Sequence, residues 1–332
     1  MDFSLTEEQE LLRDTARALL ARECPTSLVR RHIEDPAVAD PLSDRLRDLQ
    51  ALGAGDLTDL CLVLEETGAV AAPGTFFPTV GLLAPLLAAT ADEQVLPAVL
   101  AGEATGTVAL AGADGTWVPN PDPAKTFVPE ADRVDWVAVV SPGPTLTMSA
   151  ARELPVRRVA TVDPSRRLFE VDVSATTGPT VPLDPESLQG ALEWAWIALA
   201  AEMVGTAGRM LEMAVRYARE RIQFDVPIGS FQAVQHKLAD VSLAVERARA
   251  AVHYAAMTFD DDDPDRHRAA HVAKAAAGNA ARRAARDGIQ VHGGIGFTWE
   301  HDLHLFIRRA YGSEHLLGTT SWHHDRLADV LL

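Results

Sequence analysis

The stretch QVHGGIGFTWEHDLHLFIRRAYGSEHLLGT, residues 290–319, decides how the chain is read. It joins a glycine-rich turn (Gly293, Gly294, Gly296) to a helical segment and then to a second glycine turn at Gly318. Both turns fall where a helical segment has just ended. Such turns cluster backbone N–H groups that hold phosphate oxygens with no side chain in the way. Gly-Gly-x-Gly alone is a weak signal: it follows no strand and is not the dinucleotide fingerprint, and a tight turn between helices explains it as well.

Upstream of it, segments 187–221, 231–258 and 265–288 are rich in alanine and leucine at nearly helical period. They predict a bundle of long helices whose apolar stripes extend into an oligomer interface. Between two of them, Asp260 to Asp263 with Pro264 reads as a solvated turn, since no EF-hand spacing follows. Before Pro185 the texture differs: 107–111, 136–140, 157–162 and 168–173 are short β-prone runs separated by Pro, Gly and Asp. The chain opens on Thr6 and Gln9, a capping-box pair, followed by Leu11, Leu12, Leu19 and Leu20 at helical spacing, and apolar helical runs continue to about residue 104. The expected fold is therefore α+β: an N-terminal α-helical domain (1–104), a small middle β domain (105–184) and a C-terminal four-helix bundle (185–332).

Composition narrows the function. The 332 residues carry a formal charge of −17, which repels phosphate backbones and anionic lipid and argues against general nucleic-acid or membrane-surface roles. Cys24 and Cys61 make neither metal-ligand spacing nor a disulfide framework, as suits a reducing cytoplasm. The acidic opening MDFSLTEEQELL is no signal peptide, and no uncharged apolar run is long enough to span a bilayer. A soluble cytoplasmic enzyme is expected.

A second cluster, RIQFDVPIGSFQ at 221–232, sits between two of the long helices. Arg221 at a helix end suits a phosphate, Phe224 suits the flank of a ring, and Gln232 both donates and accepts. A salt bridge, a packed phenylalanine and a helix cap would account for the same residues. Taken together, FSLTEEQELL, RIQFDVPIGSFQAVQHKLAD and QVHGGIGFTWEHDLHL, in the order helical, β, helical, resemble the acyl-CoA dehydrogenase family over essentially the whole chain. That resemblance implies a dimer of dimers with FAD in each dimer interface. It also implies that Arg221, Phe224, Gln232, Gln290, Gly293 and Gly294 reach the FAD held mainly by the neighbouring subunit, and that Thr319 contributes to cofactor binding.

The reaction implied is α,β-desaturation of an acyl-CoA thioester. A glutamate removes the α-proton, the β-hydrogen leaves as hydride to the flavin, and an electron-transferring flavoprotein takes the electrons. The base needs only a desolvated carboxylate near the α-carbon. Yet the family's usual base position is Leu317, and the alternative position, 26 residues before Arg221, is Ala195. The loop that would hold this chain's own flavin, 107–116, keeps little of the family pattern, and the N-terminal region lacks a loop after Gly53.

Other carboxylates fit poorly. Glu193 is rotated roughly 200° from Ala195, and Glu202 shares its face but lies about 10 Å along the helix. Glu314 is a weak candidate and reads rather as a surface partner for Arg308 or Arg309. His292, His301, His304, His315, His323 and His324 read as turn or surface residues, and Trp194 and Trp196 as packed aromatics or a narrowing of the acyl pocket. The retained and missing residues together resemble the short, base-lacking subunit of a bacterial α2β2 acyl-CoA dehydrogenase, with a longer homologous subunit as partner. The alternatives are an active homotetramer with an unusual base and a flavin-free CoA-ester binding or scaffold protein.

Overall fold

The computed structural model describes residues 3–174, 176 and 178–331. Helices come first: α1 (Glu7–Glu23), α2 (Thr26–Glu34), α3 (Asp40–Leu46), α4 (Leu57–Ala69), then a π-helical turn, Pro78–Leu83, that runs into α5 (Ala84–Ala89), and α6 (Leu96–Leu100). The capping box forms: Thr6 Oγ1 accepts from the Gln9 N–H at 3.2 Å, and Gln9 Oε1 accepts from the Thr6 N–H at 3.1 Å.

Seven short strands follow: β1 (Gly106–Ala109), β2 (Ala124–Pro129), β3 (Trp136–Ser141), β4 (Thr145–Ala150), β5 (Val156–Val159), β6 (Leu168–Asp172) and β7 (Thr180–Pro182). One sheet runs β1-β3-β4-β7, with β1 and β3 parallel; the other is antiparallel in the order β2-β6-β5. Val128, Val137, Val139, Phe169 and Val171 form their shared core. Three of these strands escape the sequence pattern. β2 carries a buried lysine, Lys125, whose ammonium is tied to Asn120 O and Oδ1 at 2.6 and 2.7 Å; β4 is Thr- and Ser-rich, and β7 is three residues long.

The C-terminal helical bundle comprises α7 (Pro185–Glu220), a hairpin of β8 (Ile222–Gln223) and β9 (Val226–Pro227), α8 (Gln232–Asp260), α9 (Arg266–His292) and α10 (Leu303–His315), with α11 (Thr320–Leu331) packed on α9. Asp184 caps α7, accepting from the Ser187 N–H at 3.0 Å, with Pro185 in the first turn. Helices α4 and α7 cross with their backbones almost touching. A Cβ at Gly68 would lie 1.9 Å from Glu202 O, and one at Gly205 would lie 1.8 Å from Glu65 O, so only glycine permits this crossing.

The aspartate run is not simply a solvated turn. Asp260 caps the first turn of α4 from across the molecule, accepting from the Leu57 and Thr58 N–H groups at 2.7 and 3.0 Å. The orphan donors of a helix start explain the choice of partner. Only the later members of the run behave as expected: Asp262 pairs with Arg266, and Asp263 accepts from the Asp265 N–H.

One buried side chain ties the three regions together. Arg309 on α10 donates to Asp163 Oδ2 (2.7 Å), Glu202 Oε1 (2.8 Å), Ser165 Oγ (3.1 Å) and the carbonyls of Ala72 (3.1 Å) and Ala71 (3.2 Å). Arg166 pairs with the same Glu202 oxygen. Burial opposes the charge of Arg309, but Asp163 and Glu202 more than offset it and hold its pKa above the ordinary arginine value. Removing one partner of such a set strands the others in a dry interior. Arg309→Met should therefore lower stability by about 3–5 kcal/mol, read from urea unfolding against the wild type; a loss below 1 kcal/mol would show that the cluster is not what joins the regions.

Candidate functional site

Ala195 on α7 and Leu317, in the turn between α10 and α11, line the same cavity. Leu86 of α5, Val108 of β1, Trp117 and Val140 of β3 face it as well, and every residue that lines it is apolar. Its free space is about 30 Å³, room for no more than a water or two. The nearby carboxylates are engaged elsewhere. Glu193 is fully buried and bonded to His267 and, at 2.8 Å, to Gln189; Glu202 belongs to the arginine cluster.

Glu314 is buried rather than superficial, which corrects the expectation from the sequence. Its Oε1 accepts from the Thr320 N–H at 3.0 Å, at the start of α11, and lies 3.9 Å from Arg282. Burial raises its pKa, but the Thr320 N–H, His315 and Arg282 outweigh that and hold it below the usual carboxylate range. Arg308 and Arg309 are not its partners because both are committed: Arg309 to its cluster, and Arg308 to the ring of Trp299, 4.3 Å from the centroid. Trp194 and Trp196 are packed and lie outside the cavity wall. Trp194 Nε1 donates to Val80 O at 3.1 Å, while Trp196 lies 4.6 Å from His271 and 5.7 Å from Trp322.

The turn that carries Leu317 is an elbow, with Leu317 at φ 60° and Gly318 at φ 97°. Glycine is required at 318, where a Cβ would sit 2.7 Å from the Trp322 ring. Thr319 caps α11, its Oγ1 accepting from the Trp322 N–H at 3.2 Å. Beneath the elbow, Lys274 of α9 is fully buried and donates to Gly318 O at 2.9 Å and Glu314 O at 3.3 Å. His323 Nε2 lies 3.2 Å from Leu317 O, and His323 Nδ1 lies 2.8 Å from His271 Nδ1. These contacts assign the tautomers: His323 donates from Nε2 and accepts at Nδ1, and His271 donates from Nδ1. Burial lowers both, His271 to about 4 and His323 to about 2, with neighbouring cations adding to the effect.

Three histidines expected at turns or on the surface are buried, namely His292, His304 and His323. Each packs flat or edge-on against a ring: His292 on Tyr217 (4.6 Å), His304 on Trp299 (4.6 Å) and His323 on Trp196 (5.3 Å). Imidazole behaves there as an aromatic body, a role that periodicity does not announce.

The other predicted residues gather at the opposite end of the bundle helices, where the end of α7, the start of α8 and the end of α9 converge on Ala214, Ala218, Val291 and Val234. Arg221 is the exposed C-cap of α7, and Gln232 is the exposed first residue of α8. Phe224 is 87% exposed at the tip of the β8–β9 hairpin, where it and Asp225 adopt left-handed backbone angles. Gln290 is exposed on the last turn of α9, Gly293 ends that helix at φ 64°, and a Cβ on Gly293 or Gly294 would meet nothing within 4 Å. Two exposed aromatics beside this turn, Phe297 (75%) and Trp299 (58%), were not singled out in the sequence. Aromatic residues in a glycine-rich loop were the only available signal.

Residues 186–332 match the family model described as acyl-CoA dehydrogenase, C-terminal domain. The acyl-CoA dehydrogenase IpdE2 of Mycobacterium tuberculosis is 36% identical over 94% of this chain and 93% of its own, and IpdE2 of Mycolicibacterium smegmatis is 36% identical over 95% and 96%. Among solved structures, that of the Tcur3481-Tcur3483 steroid ACAD superposes with a TM-score of 0.87 at 27% identity, covering 98% of each chain. The chain belongs to the acyl-CoA dehydrogenase family of oxidoreductases, whose cofactor is FAD.

The residues present divide in their fit to that cofactor. At the open end of the bundle, unobstructed backbone at Gly293 and Gly294, an exposed Arg221 and an exposed Phe224 ring, edge-on to Phe231, fit a pyrophosphate and a flanking ring. The inner cavity, at about 30 Å³, fits neither a flavin ring nor an acyl chain.

Lys274 yields a pH prediction. Burial lowers it from 10.5 to about 7, Glu314 partly opposing and Arg166 adding to the shift. Between those two values the unfolded chain holds a proton that the folded chain does not, so stability rises with pH. This is the reverse of a lysine that gains a salt-bridge partner. Relative to Lys274→Met, the wild type should gain stability from pH 7 to 10 at up to about 1.4 kcal/mol per unit, as measured by urea unfolding at each pH. A flat difference would place the ammonium in a solvated or paired setting.

Proposed function

We propose that this chain is the base-lacking partner in a heteromeric acyl-CoA dehydrogenase, lending Arg221, Phe224, Gln232, Gln290, Gly293 and Gly294 to FAD held by a homologous, base-bearing subunit. The observation that carries this reading is the cavity: both positions where a base belongs, Ala195 and Leu317, meet in one small, wholly apolar space. An enolate-forming step needs a carboxylate beside the α-carbon, and Glu193, Glu202 and Glu314 are each held by other partners. When bound, FAD supplies acceptance of the β-hydrogen as hydride. This chain's own part is to hold the pyrophosphate, flank the adenine and shield that end of the cofactor from water. Its likeness to the Tcur3481-Tcur3483 steroid ACAD, which pairs two gene products, supports both the heteromeric state and a steroid-derived acyl thioester as substrate. An electron-transferring flavoprotein is the expected electron acceptor. In this assignment Thr319 is a helix cap on a turn without a flavin of its own.

Co-expression with a longer relative that carries the glutamate tests the reading. The complex should be yellow, with one FAD per heterodimer, and the lone chain colourless and without turnover of an acyl-CoA. Stoichiometric FAD and turnover in the lone homo-oligomer would overturn it. Within the complex, Arg221→Ala removes a charge-assisted contact worth roughly 1.5–3 kcal/mol. FAD affinity should fall by about 10- to 150-fold, read by flavin fluorescence on dilution, while the secondary structure seen by circular dichroism stays unchanged.

A further inference from the structure

The ion cluster around Arg309 leaves two polar atoms over, on two residues that line one small cavity between the N-terminal helices, the strands and the bundle. Arg166 is buried, stacks over the Phe77 ring at 4.9 Å and pairs with Glu202, yet its Nη1 has no hydrogen-bond partner among the described residues. Glu130, the residue after β2, is 2% exposed and sits at a left-handed φ of 52°. A reciprocal pair holds it there: its N–H donates to Arg167 O at 2.9 Å, and its Oε1 accepts from the Arg167 N–H at 3.1 Å. Its Oε2 stands 3.6 Å from Arg167 Nη1, beyond a hydrogen bond, and has no hydrogen-bond partner among the described residues. Buried donors and acceptors are costly to leave unpaired. The free space beside them is about 20 Å³, the size of one water, and Ser165 and Glu202 stand on the same wall.

The charges of this junction close without Glu130. Arg309 meets Asp163 and Glu202, Arg166 meets the same Glu202, and Arg167 holds Asp132 with both arms. Arg133, in Glu130's own turn, is taken by Asp40. An ionised Glu130 would therefore add an unmatched negative charge to a dry interior. We propose that the cavity is a binding site for one internal water bridging Arg166 Nη1 to Glu130 Oε2, and that Glu130 is there an uncharged carboxylic acid whose ionisation weakens the joint between helices and strands. In the acid form the Oε2–H donates to the water, the water oxygen also accepts from Arg166 Nη1, and Ser165 Oγ and Glu202 can take its hydrogens; on ionisation the proton leaves to solvent. Burial pushes the Glu130 carboxyl up to about 7, against the pull of Arg167. The groups around it are Asp132 and Arg133 from its own turn, Arg166 and Arg167 from the segment before β6, Glu202 from α7 and Arg309 from α10. His32 of α2, near the same Arg133 and Arg167, is uncharged: burial, reinforced by these arginines, lowers it to about 4.

The site involves neither a flavin nor a partner subunit, so the test uses the purified full chain. A crystal structure grown at pH 6 should show one water within about 3.2 Å of both atoms; a direct Arg166–Glu130 contact, an anion or an unfilled space there overturns the water. Infrared spectra should show a protonated-carboxyl carbonyl band at pH 6 that disappears by pH 9 and is missing from Glu130→Gln. A band unchanged in Glu130→Gln, or no band in the wild type, overturns the acid. Stability gives the third readout. Between the ordinary carboxylate value and about 7 the folded chain holds a proton that the unfolded chain has released, so stability falls as pH rises through that window. Relative to Glu130→Gln, which keeps the acceptor for the Arg167 N–H, the folding equilibrium constant of the wild type should drop by up to about 10-fold per pH unit between pH 5 and 7 and stay level above pH 8. A ratio that is flat from pH 5 to 8 overturns the coupling of the joint to this proton. Where Glu130→Gln fails to fold, the wild type decides alone, by the water at pH 6 and by the loss of the carboxyl band between pH 6 and 9.

Discussion

Five hydrogen bonds from one buried guanidinium set the arrangement of everything else. Arg309 reaches the 71–72 turn of the N-terminal helices, Asp163 and Ser165 of the strand region and Glu202 of α7 from a single point on α10. The fork geometry of arginine allows this; a lysine's point charge has three donors and no fixed directions. The cluster also removes Glu202 from any chemical role, because its Oε1 is shared by two arginines, Arg309 and Arg166, with side chains 2% and 9% exposed. Desolvated ion sets of this kind contribute little net energy compared with apolar packing, but they fix one geometry, since any displacement strands a charge. The position of α10, and so of the elbow that follows it, is inherited from this contact.

That inheritance explains how the elbow keeps its shape with leucine at its tip. The elbow is not held by anything inside the cavity. It is held by the last turn of α10, by the Glu314 and Thr319 caps on α11, and by Lys274 and His323 below it. Replacing the residue at its tip therefore leaves the backbone path intact, and an apolar residue there is stabilised by burial at about 25 cal/mol per Å². A carboxylate in the same apolar space would need a partner or a flavin to offset its desolvation. With Trp117 on the wall and no cation there, leucine leaves no polar group unpaired in this space, although its left-handed backbone carries some strain.

Most of the fold is legible in the sequence because it rests on periodicity and punctuation. The three long helices carry alanine-leucine patterns over many turns, and their ends are marked by Asp184-Pro185, Arg221 and Gly293. The motifs at 221–232 and 290–296 fall, as their glycines and proline suggest, between α7 and α8 and after α9. What was not legible depends on partners distant in sequence. Asp260 caps a helix two hundred residues away, and Glu314 turns inward because Arg309, its supposed surface partner, is engaged by Asp163. His292, His304 and His323 read as polar in sequence, whereas in the fold each is buried against an aromatic face. β2, β4 and β7 lack the β-branched alternation that marks a strand, and their neighbours in the sheet make them strands.

The two ends of the bundle are under opposite physical demands. At the elbow most polar groups are engaged internally: three carbonyls by two side chains, and two N–H groups at the start of α11 by a threonine and a glutamate. At the other end, Arg221, Phe224, Gln232 and the Gly293-Gly294 turn are exposed, and Phe224 stands on a strained two-residue tip with 87% of its surface in water. Exposed aromatics also stand at this end, Phe224 edge-on to Phe231 at 6.1 Å, and Phe297 and Trp299 after the glycine turn. The end of α7, the hairpin tip and the glycine turn thus keep their polar and aromatic groups in solvent, whereas the positions at Ala195 and Leu317 face only apolar neighbours.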